Sequence, residues 1–241
     1  MFPSQTSLAL PSSAFIRAAG ITRDSLPIAW CEFDQNHWHS DLHQAWHLPL
    51  PESLQGAVKK RKAEHLASRW LVQQSVAQLG LPGFVLRNAP DRSPLWPAGM
   101  QGSLSHTHNI AVVAATREPL CLGVDVEQVM AEETAEETAD LLMSKHEKRR
   151  LLAQPLPFAQ AATLLFSLKE SLYKALWPQL HQPMDFLQAE LVGLDITQGI
   201  AQLRLTHDFS TAFASNTRLQ ARFWLHAGHV TTLLIHPLPT K

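Results

Sequence analysis

Apolar residues spaced three and four positions apart predict two long helices in the chain. The first runs from Ala57 to Leu79 and ends where Gly80 and then Pro82 do not favour its continuation. The second runs from Ala159 to Leu180. Its apolar stripe predicts packing against a core and contains Leu164, Leu165, Leu168, Leu172 and Leu176.

Short apolar runs between turn residues predict strands. The runs are Leu26–Phe33, Ile110–Thr116, Leu120–Glu127, Ala189–Asp195, Ile200–Thr206, Leu219–His226 and Val230–His236. Because only a short turn at residues 117–119 separates the second run from the third, we expect these two strands to form a hairpin.

Three other stretches carry weaker patterns. Residues 1–27 lack periodicity and predict a loosely packed lead-in, whereas residues 81–102 predict a loop rich in proline and glycine. The acidic residues 130–143 predict a loop or a frayed helix. After them, Ser144 and Glu147 match a capping box, which predicts the start of a short helix.

The two halves of the chain share an order of elements, because residues 57–127 and 145–236 each combine a long helix with strands. No sequence repeat accompanies this similarity. We predict an α+β fold of two similar lobes, residues 1–121 and 122–241, each a small antiparallel sheet packed with a long helix. An active-site cleft is expected between the lobes.

Composition and charge narrow the class of protein. The 241 residues are 45% hydrophobic and 17% charged, which is typical of a globular protein with an ample core. The formal net charge of −1 gives no overall attraction to nucleic acid, so any basic site must be local. Cys31 and Cys121 predict reduced thiols, and neither a signal peptide nor a membrane-spanning run is evident. We expect a cytoplasmic protein.

Two carboxylates share one side of the predicted strand that ends at Glu127. Asp125 and Glu127 are two positions apart, so their side chains face the same way. An exposed polar strand face would explain this pattern. Alternatively, repulsion between the carboxylates would favour a bound cation, and an all-oxygen ligand set suits Mg²⁺.

The long helices carry charge patterns with two interpretations each. Arg61, His65 and Arg69 repeat every four residues and form a cationic face, which is either a solvated surface or a phosphate site. In the second helix, Glu170 and Lys174 are four apart and have the spacing of a surface ion pair.

Histidines with a regular spacing occur before the first long helix. His39, His43 and His47 follow an i, i+4, i+8 pattern that could place zinc ligands on one face of a helix. No nearby cysteine completes such a site, so packing or surface histidines are the favoured interpretation.

Three motifs follow one another along the chain. They are Gly102–His106 (GSLSH), Gly123–Glu127 (GVDVE) and Phe166–Lys174 (FSLKESLYK). In this order and spacing they resemble the Sfp-type 4′-phosphopantetheinyl transferases, in the branch that includes enterobactin synthase component D. Further segments that resemble this branch are Arg61–Glu64, Leu66–Arg69 and Arg92–Pro97, with Ser68 where the branch has glycine.

The resemblance, which covers residues 57–177, implies transfer of the 4′-phosphopantetheine arm of coenzyme A to a serine of an apo carrier protein. The other product would be 3′,5′-ADP. Mg²⁺ is the implied cofactor and coenzyme A the co-substrate. The implied partners are acyl, peptidyl or aryl carrier proteins of siderophore, polyketide or fatty acid synthesis, with no nucleic acid partner, and the enzyme is expected to be a monomer.

The resemblance also implies roles for the site residues. Asp125, Glu127 and Glu170 would bind the metal, and Glu170, Glu127 or a water beside the metal would deprotonate the carrier serine. Lys174 would neutralise the leaving phosphate. The implied coenzyme A ligands are Arg61, Arg69, Arg92, Lys169, and Ser105 and His106 from a loop. We expect Glu170 to turn toward Asp125, within metal-sharing distance, and both lysines to face phosphate.

Two competing functions share parts of this pattern. A Mg²⁺-dependent nuclease or phosphohydrolase also uses clustered carboxylates, but the near-zero net charge argues against nucleic acid. A relative that binds carrier proteins without transferring the arm is the second alternative. The complete set of Asp125, Glu127, Glu170 and Lys174 argues against this second alternative.

Overall fold

The computed structural model describes residues 5–22, 26–226 and 228–239, and the chain divides into two compact units. The division falls between Glu118 and Pro119. Each unit combines an antiparallel sheet with a long helix, which confirms the predicted α+β fold class. The boundary at residue 121 and the cleft between the lobes stay predictions. So does the division of roles that the resemblance implies, with coenzyme A adenosine and 3′-phosphate binding in the first lobe and metal binding and catalysis in the second.

The N-terminal unit, which ends at Glu118, contains a five-stranded sheet, a two-stranded ribbon and a long helix. Its strands are β1 (Gln5–Ser7), β2 (Ile16–Thr22), β3 (Ile28–Phe33), β4 (Arg87–Asn88), β5 (Pro94–Leu95), β6 (Gln101–Thr107) and β7 (Ile110–Thr116). Its helices are α1 (Asp41–Ala45) and α2 (Lys59–Gln78), with 3-10 turns at Gln35–His37 and Glu52–Leu54. The sheet has the order β1-β2-β3-β7-β6, and β4 pairs with β5.

Helix α2 packs on β3, β6 and β7 and completes the core of the N-terminal unit. Its buried side includes Ala63, Leu66 and Trp70, none more than 4% exposed. Just past its end, Gly80 adopts φ +85°, a left-handed conformation that glycine reaches without a Cβ clash. The predicted first long helix is therefore confirmed, with slightly different ends.

The prediction of a loose lead-in over residues 1–27 is wrong for its described part. Strands β1 and β2 extend the sheet, and Phe15 and Ile16 are 0% and 2% exposed. The local sequence of β2 has no regular alternation of apolar and polar residues. Pairing with β3 stabilises this strand, and the local sequence of β2 does not reveal that pairing. Residues 1–4 and 23–25 lie outside the described residues.

The C-terminal unit begins at Pro119 and has a second five-stranded antiparallel sheet. Its strands are β8 (Leu120–Gln128), β9 (Ala189–Asp195), β10 (Ile200–Leu205), β11 (Arg218–His226) and β12 (His229–Pro237), in the order β8-β12-β11-β10-β9. Its helices are α3 (Glu132–Leu142), α4 (Lys145–Leu152) and α5 (Phe158–Leu180), with a 3-10 turn at Phe186–Gln188. The predicted strands after residue 188 and the second long helix are confirmed. Among the described helices, none is long and apolar enough to cross a membrane.

Strands β7 and β8 do not form the predicted hairpin. Strand β7 pairs with β3 and β6, whereas β8 pairs with β12 over its whole length. The short turn at residues 117–119 therefore connects two different sheets. A short connection makes a hairpin probable from sequence alone, but the pairing partner depends on the whole sheet.

Residues 130–143 contain a regular helix, α3, rather than a loop or a frayed helix. Ala135, Ala139 and Leu142 recur at helical spacing and are at most 3% exposed, because α3 packs on α5. The carboxylate of Glu132 also accepts a hydrogen bond from the backbone N–H of Ala159 in the first turn of α5. The capping box of Ser144 at the start of α4 is confirmed.

Helix α5 lies directly on β8 and β12, and a glycine allows the close approach to β8. A Cβ built on Gly123 would lie 1.8 Å from the carbonyl oxygen of Ser171 and 2.8 Å from the backbone nitrogen of Ala175. Both are backbone atoms of the helix, which cannot rotate away. The first glycine of the GVDVE motif is therefore required by the packing of this strand on this helix.

Replacing Gly123 by alanine tests this contact. Because β8 and α5 must separate to admit the Cβ, we expect the free energy of unfolding to fall by about 2 kcal/mol or more. Gly193→Ala on β9 is the matched control, since its Cβ would lie 3.3 Å from the Cβ of Gln202. Urea denaturation measures both variants. Equal stability of the two variants would contradict the close contact.

Candidate active site

The acidic motif of β8 faces helix α5. Because Gly123 touches the helix at Ser171, the side chain of Asp125, two positions further, points to the same side. Asp125 is 1% exposed, and its neighbours Val124 and Val126 on the opposite face are 0% and 1% exposed. The strand is therefore buried on both faces at Asp125, and the alternative of an exposed polar strand face is wrong there.

Both carboxylate oxygens of Asp125 accept hydrogen bonds from side chains. Lys174 Nζ lies 2.6 Å from Oδ1, and Ser167 Oγ lies 2.7 Å from Oδ2. Ser167 Oγ also lies 3.0 Å from Thr232 Oγ1, which donates to the Ser167 carbonyl at 2.8 Å. Lys174 therefore faces a carboxylate, contrary to the expectation that it would face phosphate instead. A buried carboxylate is stabilised by a cation beside it, and Lys174 provides that charge.

Glu127 and Glu170 lie in the electrostatic field of this ion pair. Burial, together with the charges of Asp125 and Glu170, raises the pKa of Glu127 to about 7, although Lys174 acts in the opposite direction. Burial also raises the pKa of Glu170, which Lys174 lowers and Asp125 raises. In the described part of this unit, three carboxylates thus interact with the ammonium group of Lys174. This part of the site has an excess of negative charge.

The three carboxylates suit a hard divalent cation, although they are not arranged as a finished metal centre. Within the described part of the chain, no three Asp, Glu, His or Cys side chains gather in a geometry that could hold a metal ion. The predicted ligand set of Asp125, Glu127 and Glu170 is therefore not preassembled. Its chemistry nevertheless fits Mg²⁺, because the donors are oxygens and a divalent cation would offset their charge.

Lys169 contacts protein groups in place of the expected phosphate. Its side chain is 2% exposed, and its ammonium group lies 2.9 Å from the carboxylate of Glu147, which is 1% exposed. It also donates to the carbonyls of Leu142 at 2.9 Å and Phe186 at 2.8 Å. Because these three contacts use all three ammonium protons, the prediction that Lys169 binds the pyrophosphate is wrong. Lys169 instead joins α5 to the ends of three neighbouring elements.

A pocket of about 120 Å³ lies beside Glu170. Tyr173, Met184 and Phe186 contribute much of its apolar wall, and Asp185 adds a second carboxylate. Lys169 also borders the pocket, so an uncharged part of a ligand could contact the apolar wall next to Glu170.

In the N-terminal unit, a cluster of mixed charge joins α2 to β6. An Arg61 guanidinium nitrogen lies 3.2 Å from His106 Nε2 and 3.6 Å from Glu64 Oε2. The same Glu64 oxygen lies 3.7 Å from His106 Nδ1, and Lys60 lies 4.0 Å from the other oxygen. The structure thus brings two predicted coenzyme A ligands, Arg61 and His106, together around a carboxylate.

Ser105 and His106 lie on a strand, which corrects their predicted position on a loop. Strand β6 pairs with β7 from Gln101 to Thr107, so the GSLSH motif is part of the sheet. A Cβ on Gly102 would lie 2.4 Å from the ring of Trp96, so the motif's glycine makes room for that indole. The proline- and glycine-rich composition before the motif conceals the start of this strand.

Arg69 is a buried cation, whereas Arg92 is exposed in the turn between β4 and β5. Arg69 is 7% exposed and donates to Asn88 Oδ1 at 2.5 Å and to Ser68 Oγ at 3.4 Å. Burial, with a smaller effect of Arg61, lowers the pKa of Arg69 to about 10. Among the described residues, no carboxylate forms an ion pair with Arg69. Arg92 adopts φ +71°, which brings its carbonyl to the side chain of Asn88.

The histidines before α2 support the packing interpretation. His43 is buried, and its Nδ1 lies 2.8 Å from the carbonyl oxygen of Leu48. Its ring also meets the edge of Trp38, with 5.9 Å between ring centroids. His39 and His47 belong to no group that could hold a metal in the described structure.

The sequence patterns do not single out four side chains that contact the predicted site residues. These side chains are Glu64, Asn88, Glu147 and Ser167. Glu64 and Ser167 lie inside segments that resemble the family, so closer attention to those segments could find them. Glu147 is evident only as a capping residue, and nothing in the sequence distinguishes Asn88.

Comparison with known proteins identifies the family to which this chain belongs. Residues 50–116 match the family model of the 4′-phosphopantetheinyl transferase N-terminal domain, and residues 121–233 match that of the 4′-phosphopantetheinyl transferase superfamily. The chain therefore belongs to the 4′-phosphopantetheinyl transferase superfamily. The family and the class of activity predicted from the motifs are confirmed.

Individual relatives place the chain more closely. It is 34% identical to enterobactin synthase component D of Salmonella typhi over 84% of this chain and 83% of the relative. It is 35% identical to enterobactin synthase component D of Escherichia coli (strain K12) over 74% of this chain and 86% of the relative. It is also 34% identical to the 4′-phosphopantetheinyl transferase Svp of Streptomyces mobaraensis, over 62% of this chain and 61% of the relative. These similarities agree with the predicted branch.

Replacing Lys169 by methionine tests its structural role. The variant leaves Glu147 buried without its cation, so we expect the free energy of unfolding to fall by about 3 kcal/mol. Lys145→Met, at an exposed position of α4, is the control and should change stability by less than about 0.5 kcal/mol. Urea denaturation provides the measurement.

The double variant Lys169→Met with Glu147→Gln removes the unpaired charge and should recover part of the loss. A Lys169→Met variant that is as stable as the wild type but has a raised KM for coenzyme A would instead support the prediction that Lys169 binds phosphate.

Proposed function

We propose that this chain transfers the 4′-phosphopantetheine arm of coenzyme A to a serine of an apo carrier protein and releases 3′,5′-ADP. The observation that carries the proposal is the buried contact of Asp125 with Lys174, which joins the GVDVE and FSLKESLYK motifs at one place. Because the chain belongs to the transferase superfamily, we assign phosphopantetheine transfer to this arrangement of residues. The enzyme is proposed to act in the cytoplasm as a monomer.

We assign the metal-binding role to Asp125, Glu127 and Glu170. Their carboxylates would hold Mg²⁺, which supplies charge neutralisation at the pyrophosphate of coenzyme A when it is bound. The excess of negative charge around Asp125 supports this assignment. Glu170 borders the pocket and is our choice for the group that takes the proton of the carrier serine, with Glu127 as the alternative.

The cationic residues bind phosphate groups in this proposal. Lys174 neutralises the leaving phosphate, with its ammonium group shared with Asp125. Arg61, with Ser105 and His106 on β6, contacts phosphate oxygens, while Glu64 orients Arg61 and His106. The 3′-phosphate is assigned to Arg69 and Arg92, because a planar guanidinium group can donate two parallel hydrogen bonds to phosphate.

Carrier proteins are the partners that the superfamily modifies. Since two of the relatives above are components of enterobactin synthase, we propose peptidyl or aryl carrier domains of siderophore synthesis as the first substrates to test. Acyl carrier proteins of polyketide and fatty acid synthesis are the comparison.

Incubation of the protein with coenzyme A, Mg²⁺ and an apo carrier protein tests the reaction directly. We expect the carrier mass to increase by one phosphopantetheine arm, because the serine oxygen replaces the 3′,5′-ADP leaving group. Mass spectrometry of the intact carrier measures the change. Cleavage of coenzyme A without any change in carrier mass would favour a phosphohydrolase, and carrier binding without transfer would indicate an inactive relative.

Substitution of the carboxylates tests the metal assignment. Asp125→Asn and Glu170→Gln should each lower kcat/KM by about 100-fold or more, because each removes charge that a bound cation requires. Glu133→Gln, exposed on α3, is the control.

Chelation with EDTA should stop transfer, and Mg²⁺ should restore it in the wild type. Full activity of Asp125→Asn, or activity that persists after chelation, would refute the metal site.

A further inference from the structure

In the described part of the N-terminal unit, Arg69 is a buried cation with which no carboxylate forms an ion pair. Arg61 lies 3.6 Å from the carboxylate of Glu64, which therefore offsets its charge. Arg69 is more deeply buried, at 7% exposure, yet its described contacts are with the neutral oxygens of Asn88 and Ser68. A buried cation without a counter-ion is unfavourable unless a ligand supplies the negative charge.

Asn88 accepts one hydrogen bond from this guanidinium group and donates another to the backbone of Arg92. Its Oδ1 accepts from Arg69, and its Nδ2 donates to the carbonyl oxygen of Arg92 at 2.6 Å. A guanidinium group only donates and a carbonyl oxygen only accepts, so these two partners fix the orientation of the amide. A single side chain thereby connects the buried Arg69 of α2 with the turn that carries Arg92.

We propose that Asn88 is a positioning residue that presents Arg69, uncompensated, to the 3′-phosphate of coenzyme A and so sets the preference for coenzyme A over 3′-dephospho-coenzyme A. The inference rests on the proposed function, in which Arg69 binds that phosphate. Asn88 acts through Arg69 and is not assigned a contact with the reacting atoms.

The neutrality of Asn88 is essential to this role. Aspartate has nearly the same shape and would also accept from Arg69, but its negative charge would take the place of the phosphate. It would also lose the hydrogen bond to Arg92, because an ionised carboxylate cannot donate. Alanine would keep Arg69 uncompensated and remove both bonds. Comparison of the two substitutions therefore separates the effect of a negative charge at position 88 from the effect of losing the orientation of Arg69.

The experiment compares the KM for coenzyme A with the KM for 3′-dephospho-coenzyme A in the full-length protein, with the same apo carrier protein. We expect Asn88→Asp to reduce the preference for coenzyme A by about 10-fold and Asn88→Ala by about 3-fold. The value of kcat at saturating coenzyme A should stay within about 2-fold of the wild type, since the chemistry lies elsewhere.

Binding of 3′,5′-ADP and 5′-AMP, measured by calorimetry, provides a readout that does not require turnover. Asn88→Asp should weaken the binding of 3′,5′-ADP by about 10-fold and leave the affinity for 5′-AMP unchanged. Asn36→Asp, which adds the same charge at another exposed position of this unit, is the matched control and should change neither ligand. Equal weakening of both ligands by Asn88→Asp would overturn the inference.

Arg69→Ala separates failure of the inference from failure of the assignment beneath it. If Arg69→Ala removes the preference and the Asn88 variants keep it, Asn88 does not position Arg69 and the inference is wrong. If Arg69→Ala itself keeps the preference, Arg69 does not bind the 3′-phosphate and the inference falls with that assignment. If the arm is still transferred to the carrier protein in the same assays, the proposed reaction stands in either case.

Discussion

The direct packing of β8 on α5 is the constraint on which the acidic site depends. A Cβ at Gly123 would lie 1.8 Å from the Ser171 carbonyl oxygen, so the strand and helix backbones are in contact there. At this separation Asp125 reaches both Ser167 and Lys174 within 2.7 Å. A wider spacing would leave a buried carboxylate without its donors, which costs several kcal/mol. The glycine of the GVDVE motif is therefore as necessary to the site as its carboxylates, although it carries no functional group.

The two units carry opposite imbalances of charge around their motif residues. Among the described residues of the C-terminal unit, the carboxylates of Asp125, Glu127 and Glu170 lie in the field of the Lys174 ammonium group. In the N-terminal unit, Arg69 is buried beside neutral oxygens only, as far as the described residues show. Each imbalance is unfavourable for the protein alone. In the proposed function, a phosphate group would complement the guanidinium group of Arg69, and a divalent cation would complement the carboxylates.

Local sequence patterns predict the elements that bury one face and end at clear turns. The two long helices and the strands after residue 188 belong to this group, because their periodicity reports the face that is buried. Strand partners could not be predicted in the same way. Strands β7 and β8 are three residues apart in the chain but belong to different sheets, and only long-range pairing decides this. The family motifs contain the acidic residues that lie near Lys174, whereas the neutral Asn88 could be found only from its contacts.

The two lysines of the FSLKESLYK motif illustrate what a motif alone leaves undecided. Lys169 and Lys174 are five residues apart, so an α-helix turns their side chains about 140° away from each other. Glu170 and Lys174 are four apart and share a side of α5. Only the second lysine can therefore face the carboxylates of β8, and the first must point into another part of the unit. There Glu147 and two carbonyl oxygens bind its ammonium group in the core. Helical geometry thus assigns one lysine to the site and the other to the scaffold that holds the site in place.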